Sequence, residues 1–317
     1  MQLASSHPLR ITLFLFLIAW TAAAAPAQTG VGEIQATIAG NHLYIPLRVN
    51  GQDAQPWLVD TGAVACIVSS VQAKRLNLES PPPGSIAATV RDGKPRPVMI
   101  ASDVSCGSMS FGKVPVVVYP EGVESEHINR SRNRLSSGGV VGLSLLAKYG
   151  AVISYTKGQI FFSIHGGTLP IQRQKYEQMG YTYVPLEAKN NHRLEVIGTA
   201  AGSTYSFIID TGAAHTLLFD AIRQKARVAA YDLNIKAKGP FHDFRNPHLW
   251  TSRLPGFHLG NVDVGDTSIG FGQMDFRERG LSYPFGGFIG PDILATHSAI
   301  IDIGHRALYL KSTGSRG

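Results

Sequence analysis

The strongest constraint on this chain is a motif that occurs twice. Trp57-Leu58-Val59-Asp60-Thr61-Gly62-Ala63 in the first half is answered by Phe207-Ile208-Ile209-Asp210-Thr211-Gly212-Ala213 in the second, each an apolar strand running into Asp-Thr-Gly-Ala. The flanking landmarks keep step. Asn50-Gly51 stands nine residues before Asp60 and Gly202-Ser203 eight before Asp210, both at hairpin-like turns. Phe111-Gly112-Lys113 and Leu259-Gly260-Asn261 place a glycine 52 and 50 residues after their aspartates. Gly138-Gly139-Val140-Val141-Gly142 and Gly286-Gly287-Phe288-Ile289-Gly290 end 82 and 80 residues after them. Nine residues further come Ala151 to Tyr155 and Ala299 to Ile303, which read as matching strands. Such agreement marks a duplicated β-rich unit.

At 317 residues the chain suits two lobes better than one core. Its 34 glycines and 18 prolines imply many turns between short strands, as in Leu43 to Val49 and Tyr181 to Leu186. Short helices are expected over Ser70 to Leu78, Phe219 to Ala226, Leu143 to Tyr149 and Asp292 to His297. The lobes are expected at 28–167 and 168–317, divided near His165-Gly166-Gly167 ahead of a polar stretch from Gln172 to Gly180.

Residues 1–27 stand apart. His7 and Arg10 lead into an apolar run, Ile11 to Trp20, and the Ala-rich sequence after it ends Ala25-Pro26-Ala27, the pattern of a signal peptide cut before Gln28. An uncleaved anchor is the other reading, for which the run is short. The mature product is expected in the periplasm or secreted, without stable membrane insertion. In that oxidising setting the only two cysteines, Cys66 and Cys106, could form a disulfide or remain two buried free thiols; spacing does not choose between them. The net charge of +7 is spread along the chain, and its densest group, Arg130, Arg132 and Arg134, reads as an exposed loop. With no aromatic-basic interleaving, a nucleic-acid partner is not expected. Asn129-Arg130-Ser131 fits a glycosylation acceptor.

Two copies of one carboxylate motif on lobes related by a pseudo-twofold can meet at the axis. Like charges a few ångströms apart cannot both ionise cheaply, so Asp60 and Asp210 would share a proton. Gly62 and Gly212 would bring backbone N–H groups up to the carboxylates, while the Thr61 and Thr211 hydroxyls could cross the axis to the opposite loop. Gly142 and Gly290 suit a strand passing tightly behind each loop.

On these motifs the chain resembles the pepsin and retropepsin superfamily of aspartic proteases in bilobal single-chain form, with Asp-Thr-Gly-Ala nearer the retroviral type. The resemblance covers nearly all of the mature chain. It implies a mostly β fold of two closed barrel-like lobes, with Asp60 and Asp210 catalytic and Thr61, Gly62, Thr211 and Gly212 in supporting loops. It further implies an extended peptide or protein substrate, bound under a flap from Ala87 to Met99, from Lys238 to Trp250, or from both. That superfamily is the standard case of a proton shared between two aspartates. With Ala63 and Ala213 in place of hydroxyl residues, the pair is expected to titrate higher than in pepsin-like enzymes, giving a mildly acidic to near-neutral optimum. Internal pairing of the halves predicts a monomer.

Two departures mark the lobes as unequal: Ser144 stands opposite Asp292, and Ala65 opposite His215, which is expected to pack or line a rim. No His-Glu-x-x-His, metal-spaced cysteine pair, Gly-x-Ser-x-Gly elbow or phosphate loop is present, so neither metal nor cofactor is expected. The rival reading is a catalytically silent peptide-binding protein on the same scaffold.

Overall fold

A computed structural model describes residues 30–85, 88–91, 94–120, 137–187, 193–232, 246–273 and 283–313. Residues 1–27, read above as a signal peptide, the Arg130 to Arg134 group and Asn129 lie outside the described residues. No helix among those described is long and apolar enough to cross a membrane.

The chain is mostly strand, as the repeat predicts. In the first lobe His42–Val49 alternates: Leu43, Ile45, Leu47 and Val49 are buried, while Pro46 and Arg48 are exposed, the period of a strand with one wet face. It pairs with Gln55–Asp60, which runs parallel to Gly139–Gly142. Gly139–Gly142 meets Cys66–Ser69, which pairs in turn with Met109–Tyr119 and, through it, Lys94–Cys106. Arg48 then pairs with Ser105 and closes a barrel of six strands. The second lobe repeats the order through Glu195–Ala200, Ser203–Ile209, Phe285–Ile289, Leu217–Phe219, Ile269–Gln273 and Asn246–Ser252.

Between the lobes runs a bridging sheet in the order Val31–Gln35, Gln159–Ser163, Val152–Ser154, Ile300–Asp302, Ala307–Leu310, Thr182–Glu187. At its centre Ile153 pairs with Ile301 in antiparallel register. These residues are equivalent in the repeat, so the pseudo-twofold passes between them, as at any contact in which a surface meets its own copy. Buried apolar residues of both lobes form one continuous core across this sheet.

The short helices fall where expected, at Ser70–Arg75, Leu143–Lys148, Asp220–Ala226 and Pro291–Thr296. Ser69 caps the first of them by accepting from the Gln72 N–H at 3.0 Å. The polar stretch from Gln172 to Gly180 contains a further helix, Arg173–Gln178, with an Arg173–Glu177 pair one turn apart on its surface. The second hairpin turns at Ala201-Gly202, both left-handed with φ 50° and 70°, one residue earlier than the Gly202-Ser203 reading. Both suggested flap segments fall on antiparallel hairpins: Ala88–Arg91 with Lys94–Cys106, and Tyr231–Asp232 with Asn246–Ser252. Residues 87, 92–93 and 238–245 of those segments lie outside the described ones.

Of the two readings left open for the cysteines, the structure holds the free thiols. Cys66 and Cys106 are both buried free thiols, and burial pushes each up to about 11. The Cys66 sulfur is engaged otherwise, accepting a hydrogen bond from the Gly142 backbone.

Candidate active site

Each aspartate ends a buried strand. Val59 pairs with Val141 and Asp60 with Gly142 in one lobe; Ile209 pairs with Ile289 in the other, where the Asp210 N–H donates to Ile289 O at 2.9 Å. An aromatic residue three places before each aspartate explains the double glycines. A Cβ on Gly139 would stand 2.7 Å from Trp57 Cζ3, and one on Gly286 2.3 Å from Phe207 Cε1. Behind each loop, a Cβ on Gly142 or Gly290 would strike the backbone of Ala65 or His215.

The loops grip each other symmetrically. The Thr61 hydroxyl donates to Ile209 O at 2.7 Å and accepts from the Thr211 N–H at 3.1 Å. The Thr211 hydroxyl donates to Val59 O at 2.7 Å and accepts from the Thr61 N–H at 3.0 Å. Both threonines are fully buried, so each of these four bonds satisfies a group that water cannot reach.

The grip brings the carboxyl groups together. A Cβ on Gly62 would lie 2.4 Å from Asp210 Cγ, and one on Gly212 2.3 Å from Asp60 Cγ, so each carboxyl occupies the space that the opposite glycine leaves free. Asp60 Oδ1 accepts from the N–H groups of Gly62 at 2.8 Å and Ala63 at 3.0 Å. Asp210 Oδ1 accepts from those of Gly212 at 3.1 Å and Ala213 at 2.9 Å. The two carboxyls also share a hydrogen bond.

Electrostatics follow from that contact. Desolvation raises both groups above the ordinary aspartate value of 3.8, and Asp210 rises well above it because the Asp60 charge adds to the effect. The shared bond favours the ionised form of Asp60 and the protonated form of Asp210, while the charge of Arg193 draws both down. The pair therefore titrates as a unit that holds one proton past the usual carboxylate range.

The structure thus brings together all six residues singled out as the pair and its supporting loops. His215 is exposed, with Nδ1 3.9 Å from Asp292 Oδ2, which fits a rim position. Asp292 braces the second loop, accepting from the Thr216 N–H at 2.8 Å and the Thr216 hydroxyl at 2.5 Å. Three neighbours carry no motif and escape a sequence reading. Tyr155 is buried, and its hydroxyl is pushed up by burial and then by the charges of Asp210, Asp292 and Asp60. Arg193 and His42 become visible only when strand register is known. Among the described residues no cluster of His, Cys, Asp or Glu could hold a metal ion.

Residues 45–145, which contain the first Asp-Thr-Gly-Ala and the Gly138 to Gly142 strand, match a family model described as aspartyl protease. Among curated proteins, no sequence matches the chain. Among solved structures, an aspartic proteinase from Irpex lacteus is similar over 90% of this chain and 98% of its own, with a TM-score of 0.50 at 15% identity. Basic 7S globulin from soybean aligns over 89% of this chain and 94% of its own, with a TM-score of 0.47 at 13% identity. At such identity the Irpex likeness speaks to the fold. Together with the family match to residues 45–145 and the repetition of their motif in the second lobe, it supports the aspartic protease superfamily for this chain.

Proposed function

We propose that the protein is an aspartic endopeptidase whose catalytic groups are Asp60 and Asp210. The observation that carries this reading is the hydrogen bond between two carboxyls, each held by two backbone N–H groups of its own loop. One ionised and one neutral carboxyl side by side form a base and an acid on the same water.

In the proposed cycle, Asp60 takes a proton from a water that attacks the peptide carbonyl carbon, while Asp210 gives its proton to the carbonyl oxygen. A neutral gem-diol results. Its collapse breaks the C–N bond as Asp60 protonates the nitrogen and Asp210 recovers a proton from one hydroxyl. The products are a carboxylic acid and an amine, and the pair returns to its starting state.

With two N–H donors but no hydroxyl from Ala63 or Ala213, and with desolvation dominant, the pair supports a mildly acidic to near-neutral optimum. The leader at residues 1–27 supports action after export, in the periplasm or outside the cell, and internal pairing of the lobes supports a monomer.

Purified mature protein should cleave a mixed peptide library and be inhibited by pepstatin. Asp60→Asn and Asp210→Asn should each lose at least about a thousandfold in kcat while keeping their fold. Unchanged activity in either variant would sink the mechanism, and no cleavage by folded wild type would favour the silent binder.

A further inference from the structure

Strand register places one basic residue at an equivalent point in each lobe. Tyr44 pairs with Leu58 and Glu195 with Ile208, and Leu58 and Ile208 each stand two residues before their aspartate. Two residues back from Tyr44 is His42; two back from Glu195 is Arg193. The pseudo-twofold therefore relates His42 to Arg193.

His42 is buried, with 2% of its surface exposed. Its Nδ1 lies 2.7 Å from Gly40 O, and its Nε2 lies 2.7 Å from Ala213 O. Both partners are carbonyl oxygens, which only accept. A neutral imidazole has a single N–H, so in that form its bare nitrogen would set a lone pair against a carbonyl lone pair at hydrogen-bond distance. Inside a protein such an opposed contact is strongly unfavourable. The imidazolium, with two N–H groups, satisfies both. The bond to Ala213 also crosses between lobes, from the first strand of one barrel to the catalytic loop of the other. Ala213 is the residue whose own N–H holds Asp210 Oδ1 at 2.9 Å.

We infer that His42 is a positioning residue, held as a buried imidazolium, that straps the second catalytic loop to the first lobe, with Arg193 as its pseudo-twofold counterpart. Among the described residues, the titratable and charged groups around the catalytic loops that this strap touches include Asp60, Asp210, Arg193, Tyr155 and, two residues beyond Ala213, His215. One side of the axis thus carries a cation that can lose its charge and the other a cation that cannot. As pH rises and His42 gives up its proton, the bond from one ring nitrogen is lost and the second loop loosens, while the Arg193 side is unaffected. The protonation state stands on geometry alone; only its effect on rate rests on the peptidase reading.

Nitrogen-edited NMR of the histidine side chains, at about pH 7.5 where a free imidazole is mostly neutral, tests the first part. Protons on both His42 ring nitrogens are expected, and a bare nitrogen would overturn the inference. In peptide cleavage, His42→Gln should lower kcat about tenfold or more with little change in KM, as misplacement of a reacting group does. His42→Arg, which installs the residue found at the equivalent position, should recover most of that loss and flatten the alkaline limb of the pH profile. A folded His42→Gln enzyme with wild-type kcat and pH profile would overturn the positioning role. A wild-type protein that cleaves nothing, yet keeps both protons on His42, would refute the peptidase reading and leave the strap standing.

Discussion

The first lobe closes its barrel by pairing Arg48 with Ser105, on a long strand that also forms one arm of the Ala88–Arg91 hairpin. In the second lobe the corresponding chain is broken: Asn246–Ser252 forms the hairpin arm, and the two-residue strand His258–Leu259 meets Glu195–Ala200 instead. Behind the catalytic loops the lobes differ again. Gly142 donates to the Cys66 sulfur and Gly290 to the Thr216 hydroxyl, at positions each six residues past the aspartate. Thr216 is tied further to Asp292, whereas the equivalent Ser144 is exposed and offers its N–H to Val64 O. The atoms that touch the twofold have barely diverged. Those one layer away have changed freely, because there several chemistries can accept the same glycine N–H.

That contrast can be broken at its symmetric part first. Gly62→Ala and Gly212→Ala should each cost more than about a hundredfold in kcat, since each new methyl would fall on the opposite carboxyl. The two losses should be similar, and a wide gap between them would show that the pair is less symmetric than its geometry. The asymmetric layer should respond unequally. Asp292→Ser, which copies the first lobe, removes the acceptor for a buried Thr216 hydroxyl and N–H and should destabilise by about 2 kcal/mol in denaturant unfolding. Ser144→Ala should stay within about 0.5 kcal/mol.

The shared proton itself is read in the pH dependence of stability. Both carboxyls are raised above 3.8 in the folded protein. A group raised in this way adds stability that is fully present below its unfolded value and fades as pH rises through the folded one. Wild type should therefore lose stability relative to Asp210→Asn as pH climbs from about 4, at no more than about 1.4 kcal/mol per pH unit. The same slope in both proteins would place the shared proton elsewhere.

The duplication, the strand into each aspartate, the glycines behind the loops and the short helices after them were all legible in the residues, because turn chemistry and apolar runs are local properties. The Asp292 brace was legible only as a departure from the repeat. Cys66 shows why pairing could not be read: two cysteines along a sequence leave a bridge open, and only the folded structure brings the Gly142 backbone to the Cys66 sulfur. His42 and Arg193 were hidden for a similar reason. Neither belongs to a motif, and each is placed by the register of the residues just after it, Tyr44 against Leu58 and Glu195 against Ile208, rather than by proximity to an aspartate along the chain.

By itself the sequence determined that two equivalent halves would each present one carboxylate at the end of a buried strand, since repetition and periodicity are written in the order of residues. Tertiary structure alone decided that those carboxylates would share a hydrogen bond and that a histidine from one half would hold the loop of the other. Such contacts depend on how the two lobes are docked about an axis, and that geometry is set by the bridging sheet, whose partners lie far apart in the chain.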